Sequence, residues 1–204
     1  MPPESHAQKM LEELRGQAND CHACPLWRDA TQTVFGEGPV RAVMMLVGEQ
    51  PGDREDRDGR PFVGPAGALL DRALAQAGID RTQVYVTNAV KHFKYRSRGK
   101  RRIHQRPDSE EIKACYQWLQ AELELVKPCV LVCLGATAAK ALLGGTPHIE
   151  RDRGRALPSE LAPLVMLTAH PSAVLRQRDH DARQAGTRAL VRDLRRAWQD
   201  ALNE

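Results

Sequence analysis

The segment KHFKYRSRGKRRIHQR, residues 91–106, carries eight Lys or Arg side chains and no acid. A stretch of that charge lies against a polyanion, because neutralising phosphates releases condensed counterions. His104 stands near its end. A neutral imidazole is a competent nucleophile near pH 7, so this histidine within the charge points to chemistry performed on a nucleic acid. A solvated basic loop explains the charge equally well if the segment is taken alone. Three other polar groups stand where chemistry is expected. Glu49 and Gln50 follow the apolar run RAVMMLV. Asn88 follows QVYV, and His170 follows LVMLT. Each therefore sits at the carboxyl end of a candidate strand, although a turn asparagine or a satisfied strand-end histidine would occupy the same places.

Those strands must come from the runs 41–47, 83–86, 129–134 and 164–168. Their continuous apolar character is that of strands buried on both faces. Helical segments alternate with them: 4–18, 68–77 closed by Gly78, 108–126 capped by Asp108, 136–143 and 181–202. The alternation predicts an α/β fold, a three-layer α/β/α arrangement around a four-stranded parallel sheet. In such sheets ligands bind beyond the carboxyl ends of the strands. The segment 48–67, GEQPGDREDRDGRPFVGPAG, reads as a shaped loop presenting Gly48, Glu49, Gln50, Asp53 and Phe62. It matches neither the dinucleotide fingerprint nor a P-loop.

A chain of 204 residues commonly forms one domain, here 1–204. Net charge is only +4, so the basic character is local. No apolar run reaches a membrane-spanning length, and no signal peptide opens the chain. The expectation is a cytoplasmic, nucleoid-associated monomer. In a reducing compartment the five cysteines are expected to bind metal or to pack as small apolar groups, with Cys129 and Cys133 in a buried strand.

The order GE-x-PG, G-x-PFVG-x-AG, TN-x-x-K and HP-S-x-x-L resembles family 4 uracil-DNA glycosylases, from Cys21 to about Arg176. GEQPG and KRRIH, at 48–52 and 100–104, are most similar to the UdgX branch. The resemblance implies excision of uracil from DNA, with free uracil as product. Phe62 would stack on the base. The Asn88 amide would match N3–H and O4, His170 would face O2, and Glu49 would stabilise the sugar cation. Gly48, Asp53, Arg102 and Ser172 would help to bind the substrate. In the UdgX branch a histidine of the basic loop attacks the sugar and stays attached. By motif that residue is His104, with Gln50 and Glu49 positioning it and Arg102 bracing the loop. The alternatives are ordinary turnover, with His104 touching only DNA, and a non-catalytic iron–sulfur DNA-binding module. The lone basic loop leans towards single-stranded DNA.

Family 4 enzymes hold a [4Fe–4S] cluster on four cysteines. Here Cys21, Cys24 and Cys115 match three of them, and His92 stands where the family has the remaining one. The implied set is Cys21, Cys24, His92 and Cys115, which would also suit zinc. A cluster on this set would join the N-terminal loop to the basic segment.

Overall fold

The computed structural model describes residues 3–145 and 147–203, apart from the side chains of residues 3–5. In chain order the elements begin with α1 (Pro3–Asn19), β1 (Met44–Gly48), α2 (Asp53–Asp58), α3 (Pro65–Ala77) and β2 (Val84–Asn88). Next come β3 (Tyr95–Arg98), β4 (Arg101–His104), α4 (Ser109–Val126), β5 (Val130–Leu134) and α5 (Ala136–Leu143). The chain continues through α6 (Ile149–Asp152), β6 (Ala156–Leu157), β7 (Leu164–Thr168), α7 (Pro171–Leu175) and α8 (His180–Leu202).

The main sheet runs β2-β1-β5-β7-β6. Its first four strands are parallel, as expected, and β6 adds a two-residue antiparallel edge. Every residue of those four strands is buried. Side chains alternate between two layers, as the two-residue pleat dictates. Met45, Val47, Tyr85, Leu131 and Leu167 pack with Leu11 of α1, Leu119 and Leu123 of α4, and Leu142 of α5. Met44, Leu46, Val86, Val132 and Met166 pack with Leu70 and Leu74 of α3 and Leu190 and Leu194 of α8. The register sets Gly48 beside Asn88, Val47 beside Cys133 and Leu134 beside Thr168, so all four strand ends lie level.

Four local expectations need correction. The segment 48–67 is not all loop, because residues 53–58 form α2. That helix has Asp53, Glu55 and Asp56 in its first turn, a left-handed Gly59 (φ 70°) at its end, and an Arg57–Asp53 pair at 3.1 Å. The basic segment is not a loop either. It is the antiparallel hairpin β3–β4, turning at Gly99 with φ 59°. Helix α3 starts at Pro65 rather than residue 68, with proline in its first turn. Cys129 lies just before β5 and is exposed, whereas Cys133 is buried as expected.

One buried ion pair ties the sheet to α4. Lys91 Nζ lies 2.5 Å from Glu122 Oε2, 2.6 Å from Thr87 Oγ1 and 2.8 Å from the Asn88 carbonyl. Glu122 also accepts from Tyr85 Oη and from the Gly36 backbone amide. Both charges are buried, so each compensates the desolvation of the other. Lys91→Met, which strands the carboxylate, is expected to lower unfolding stability by about 3–5 kcal/mol in urea titration. Replacing Glu122 by leucine in the same chain should recover part of that loss.

Candidate active site

Three side chains converge on Gly48 at the end of β1. A Cβ built on Gly48 would overlap Asn88 Oδ1, lie 2.8 Å from Phe62 Cζ and lie 3.4 Å from His170 Nε2. Only a glycine here lets an aromatic plate, an amide and an imidazole approach the end of β1 this closely. Phe62 takes a left-handed conformation (φ 58°), uncommon for any residue with a side chain. Gly67 permits it, since a Cβ there would run into the Phe62 carbonyl. The Phe62 and His170 rings lie 6.2 Å apart and only 26° from parallel.

His170 caps α7. The backbone N–H of Ser172 donates to Nδ1 at 3.1 Å, and the Ser172 hydroxyl lies 2.8 Å from the same nitrogen. A nitrogen that accepts a backbone N–H carries no proton. The neutral ring therefore bears its hydrogen on Nε2, which faces Gly48. Arg176 Nη1 donates to the Ser172 hydroxyl at 3.0 Å and completes the chain behind the ring. Burial pushes the His170 pKa down to about 4, with Arg176 and His104 acting in the same sense and Glu49 opposing. The ring is thus a fixed neutral donor.

Glu49, the residue after Gly48, meets His104 of the hairpin. Glu49 Oε1 lies 3.3 Å from His104 Nε2, and Oε2 accepts a short hydrogen bond from Thr137 of α5. Burial alone would raise the Glu49 pKa. The bonds from His104 and Thr137 outweigh it and hold the carboxyl below its usual range. His104 stands at the root of the hairpin, opposite Tyr95, and leans against Phe93 with ring centroids 6.1 Å apart.

The root itself is clamped. The Gln50 amide donates to the Lys94 and Gln105 carbonyls and accepts from the Lys94 N–H at 3.2 Å, so it bridges both legs of the hairpin. Lys94 Nζ reaches Glu111 at 2.8 Å. Arg102 points inward, not toward solvent. Its guanidinium binds Asp53 and Asp56 of α2 and Thr31, and it lies over the rings of Phe93 and Tyr95 at 5.4 and 5.0 Å. Asp53 and Arg102, both expected at the substrate, are bonded to each other. Arg96, Arg98, Lys100 and Arg101 are the exposed cations of the ribbon.

A family profile described as the Uracil DNA glycosylase superfamily matches residues 35–197. The chain belongs to the uracil-DNA glycosylase superfamily. It is 37% identical over 191 residues to a type-4 uracil-DNA glycosylase of Thermotoga maritima, covering 93% of this chain and 94% of that one. It is 35% identical over 173 residues to a type-4 uracil-DNA glycosylase of Sulfurisphaera tokodaii, covering 81% and 76%. A type-5 uracil-DNA glycosylase of Thermus thermophilus is 33% identical over 147 residues, covering 65% and 62%.

Within this superfamily fold, the cysteines test the expected ligand set. Cys115 and Cys24 pack together with Leu26, Val90 and Trp118. The indole N–H of Trp118 donates to Cys21 Sγ at 3.1 Å, and the Lys91 backbone N–H donates to Cys115 Sγ at 3.1 Å. Burial pushes the Cys115 thiol up to about 12, with Cys24 and Cys21 adding to the rise. A bound cation would supply the charge that this thiol pocket lacks. His92 is buried, but its Nε2 lies 3.0 Å from Thr33 Oγ1. Cys21 and Cys115 each accept an N–H, as a metal-bound thiolate would, whereas His92 is bonded to Thr33. Among the described residues, no group of three or more His, Cys, Asp or Glu side chains is assembled as a metal site.

Thr137, Asp56 and Thr31 had no signal in the sequence. Each acts through a contact with a distant segment rather than through a local motif.

Two outcomes follow. Arg102→Met should release the hairpin, with backbone amides of 95–104 exchanging about ten-fold faster or more in hydrogen-exchange mass spectrometry. His170 is held neutral in the folded state but takes up a proton near pH 6.5 when unfolded. The unfolded state therefore binds more protons as pH falls from about 6.5 towards about 4, and His170 draws stability down over that window. Urea unfolding of His170→Asn, which keeps an acceptor for Ser172, should show a flatter pH dependence there than the parent.

Proposed function

We propose that this protein excises uracil from DNA and is then captured by the sugar through His104. The convergence of Phe62, Asn88 and His170 on Gly48, with the Glu49–His104 pair at the rim, carries the reading. The type-4 relatives supply the substrate class. A base must leave the stack to enter such a cleft. Phe62 stacks on it. The Asn88 amide accepts from N3–H and donates to O4, a pattern cytosine does not match. His170 Nε2–H donates to O2 and strengthens its hold as charge develops on the departing ring; one such donor is worth about 10²–10³ in rate.

The C1′–N1 bond breaks with its electron pair passing to uracil. Glu49, kept ionised by its two hydrogen bonds, faces the positive charge left on the sugar. A ring nitrogen of His104 gives its lone pair to C1′ and becomes an imidazolium. That imidazolium sheds its N–H proton, and Glu49 Oε1 is placed to accept it. The product is a sugar–imidazole bond with no group assigned to cleave it. The clamped root of the hairpin favours this reading over a histidine that only brushes phosphate, because Gln50 fixes the backbone next to His104.

The substrate strand is single-stranded by preference, held along the exposed arginines of the ribbon. The 204 residues act as one monomeric catalytic domain in the cytoplasm. No described helix is long and apolar enough to cross a membrane. Cys21, Cys24 and Cys115, with His92 as the remaining ligand, would hold a [4Fe–4S] cluster. The cluster would supply a structural crosslink between the N-terminal loop, the segment after β2 and α4.

Incubation with a uracil-containing single-stranded oligonucleotide, followed by denaturing electrophoresis, tests the reading. A shifted band surviving heat and detergent is expected from the parent and not from His104→Ser. Released uracil with free, unmodified protein would instead establish ordinary turnover. Unchanged DNA would remove the glycosylase assignment.

A further inference from the structure

We propose that Thr137 is a positioning residue for Glu49: its hydroxyl pins one carboxylate oxygen so that the other is presented to His104. The inference rests on the role given above to Glu49.

A free carboxylate at a strand end can rotate about its last torsion. Glu49 has two neighbours competing for it, His104 from the hairpin and His170 from the β7–α7 turn. Oε2 is bonded to Thr137 Oγ1, which leaves Oε1 as the oxygen 3.3 Å from His104 Nε2. The pin has a rigid base. Thr137 is the second residue of α5, entered through Gly135 at φ 93°. The Gly135 N–H bonds the Thr168 carbonyl at 2.9 Å, and a Cβ on Gly135 would come 3.1 Å from His170 Cβ. The shelf that carries Thr137 is therefore locked to the strand end that carries His170. A purely local role does not account for the contact. The N-cap of α5 is Gly135, with no side-chain cap bond, and the Thr137 hydroxyl reaches the residue that follows β1 instead.

Thr137→Val keeps the β-branched shape and deletes the donor. Single-turnover uracil excision should slow by about ten-fold, the size expected for one hydrogen bond to a charged group. The acid limb of the rate–pH profile should move to higher pH, because ionised Glu49 has lost a donor that favours it. DNA affinity should stay within two-fold, and Thr137→Ser should recover most of the rate. Glu49→Gln is measured in parallel. With that substitution in place, adding Thr137→Val should cost nothing further. If Glu49→Gln slows excision but Thr137→Val leaves rate and pH limb unmoved, the positioning role is overturned and the reading of Glu49 stands. If Glu49→Gln itself retains the parent rate, the reading of Glu49 fails, and the positioning role fails with it. A lower melting temperature with an unchanged pH profile would likewise reduce Thr137 to a structural residue.

Discussion

Like charges repel, and a ribbon bearing five cations would splay unless something held it. What holds it is the burial of one of those cations. Arg102 turns inward between Asp53 and Asp56 and lies over two aromatic rings. Asp56 is fully buried, so its charge demands that partner as strongly as the hairpin demands the anchor. Helix α2, only six residues long, exists to present these acids, and Thr31 joins the same guanidinium. Once that pairing is made, Gln50 can bridge the two legs and His104 can rest against Phe93. The outer arginines are then free for a polyanion, because the inner one has satisfied the fold.

The sheet solves a different problem, that of bringing distant sequence to one point. Parallel register sets Gly48 level with Asn88, and the β5–β7 pairing brings Gly135 under His170. The buried Lys91–Glu122 pair reaches the Asn88 carbonyl and fixes the backbone behind the amide. The Asn88 backbone and the His170 ring are thereby held at the end of the sheet by contacts made within the fold itself.

Much of this was legible in the sequence, for identifiable reasons. Strands buried on both faces read as unbroken apolar runs, and Asp108 marks the start of α4, where the structure adds a capping box with Glu111. Gly48, Asn88 and His170 were legible because strand ends in a parallel sheet face the ligand. The hairpin was hidden because its exposed strands, YRSR and RRIH, show no apolar alternation. Helix α2 was hidden by its length and by the prolines and glycines around it. The inward turn of Arg102 and the Thr137–Glu49 contact were out of reach because nothing in a local window distinguishes a buried arginine from a solvated one, or a helix threonine from a hydrogen-bond donor to the residue after β1.

The placement of His104 at the root of the ribbon, rather than at its tip, separates two properties of one element. Pairs of residues added at the Gly99 turn would lengthen the cationic arm without displacing the imidazole, since the Gln50 bridge and the Arg102 anchor both lie on the near side of such an insertion. The length of the cationic arm and the position of the imidazole beside Glu49 can therefore diverge independently among descendants of this fold.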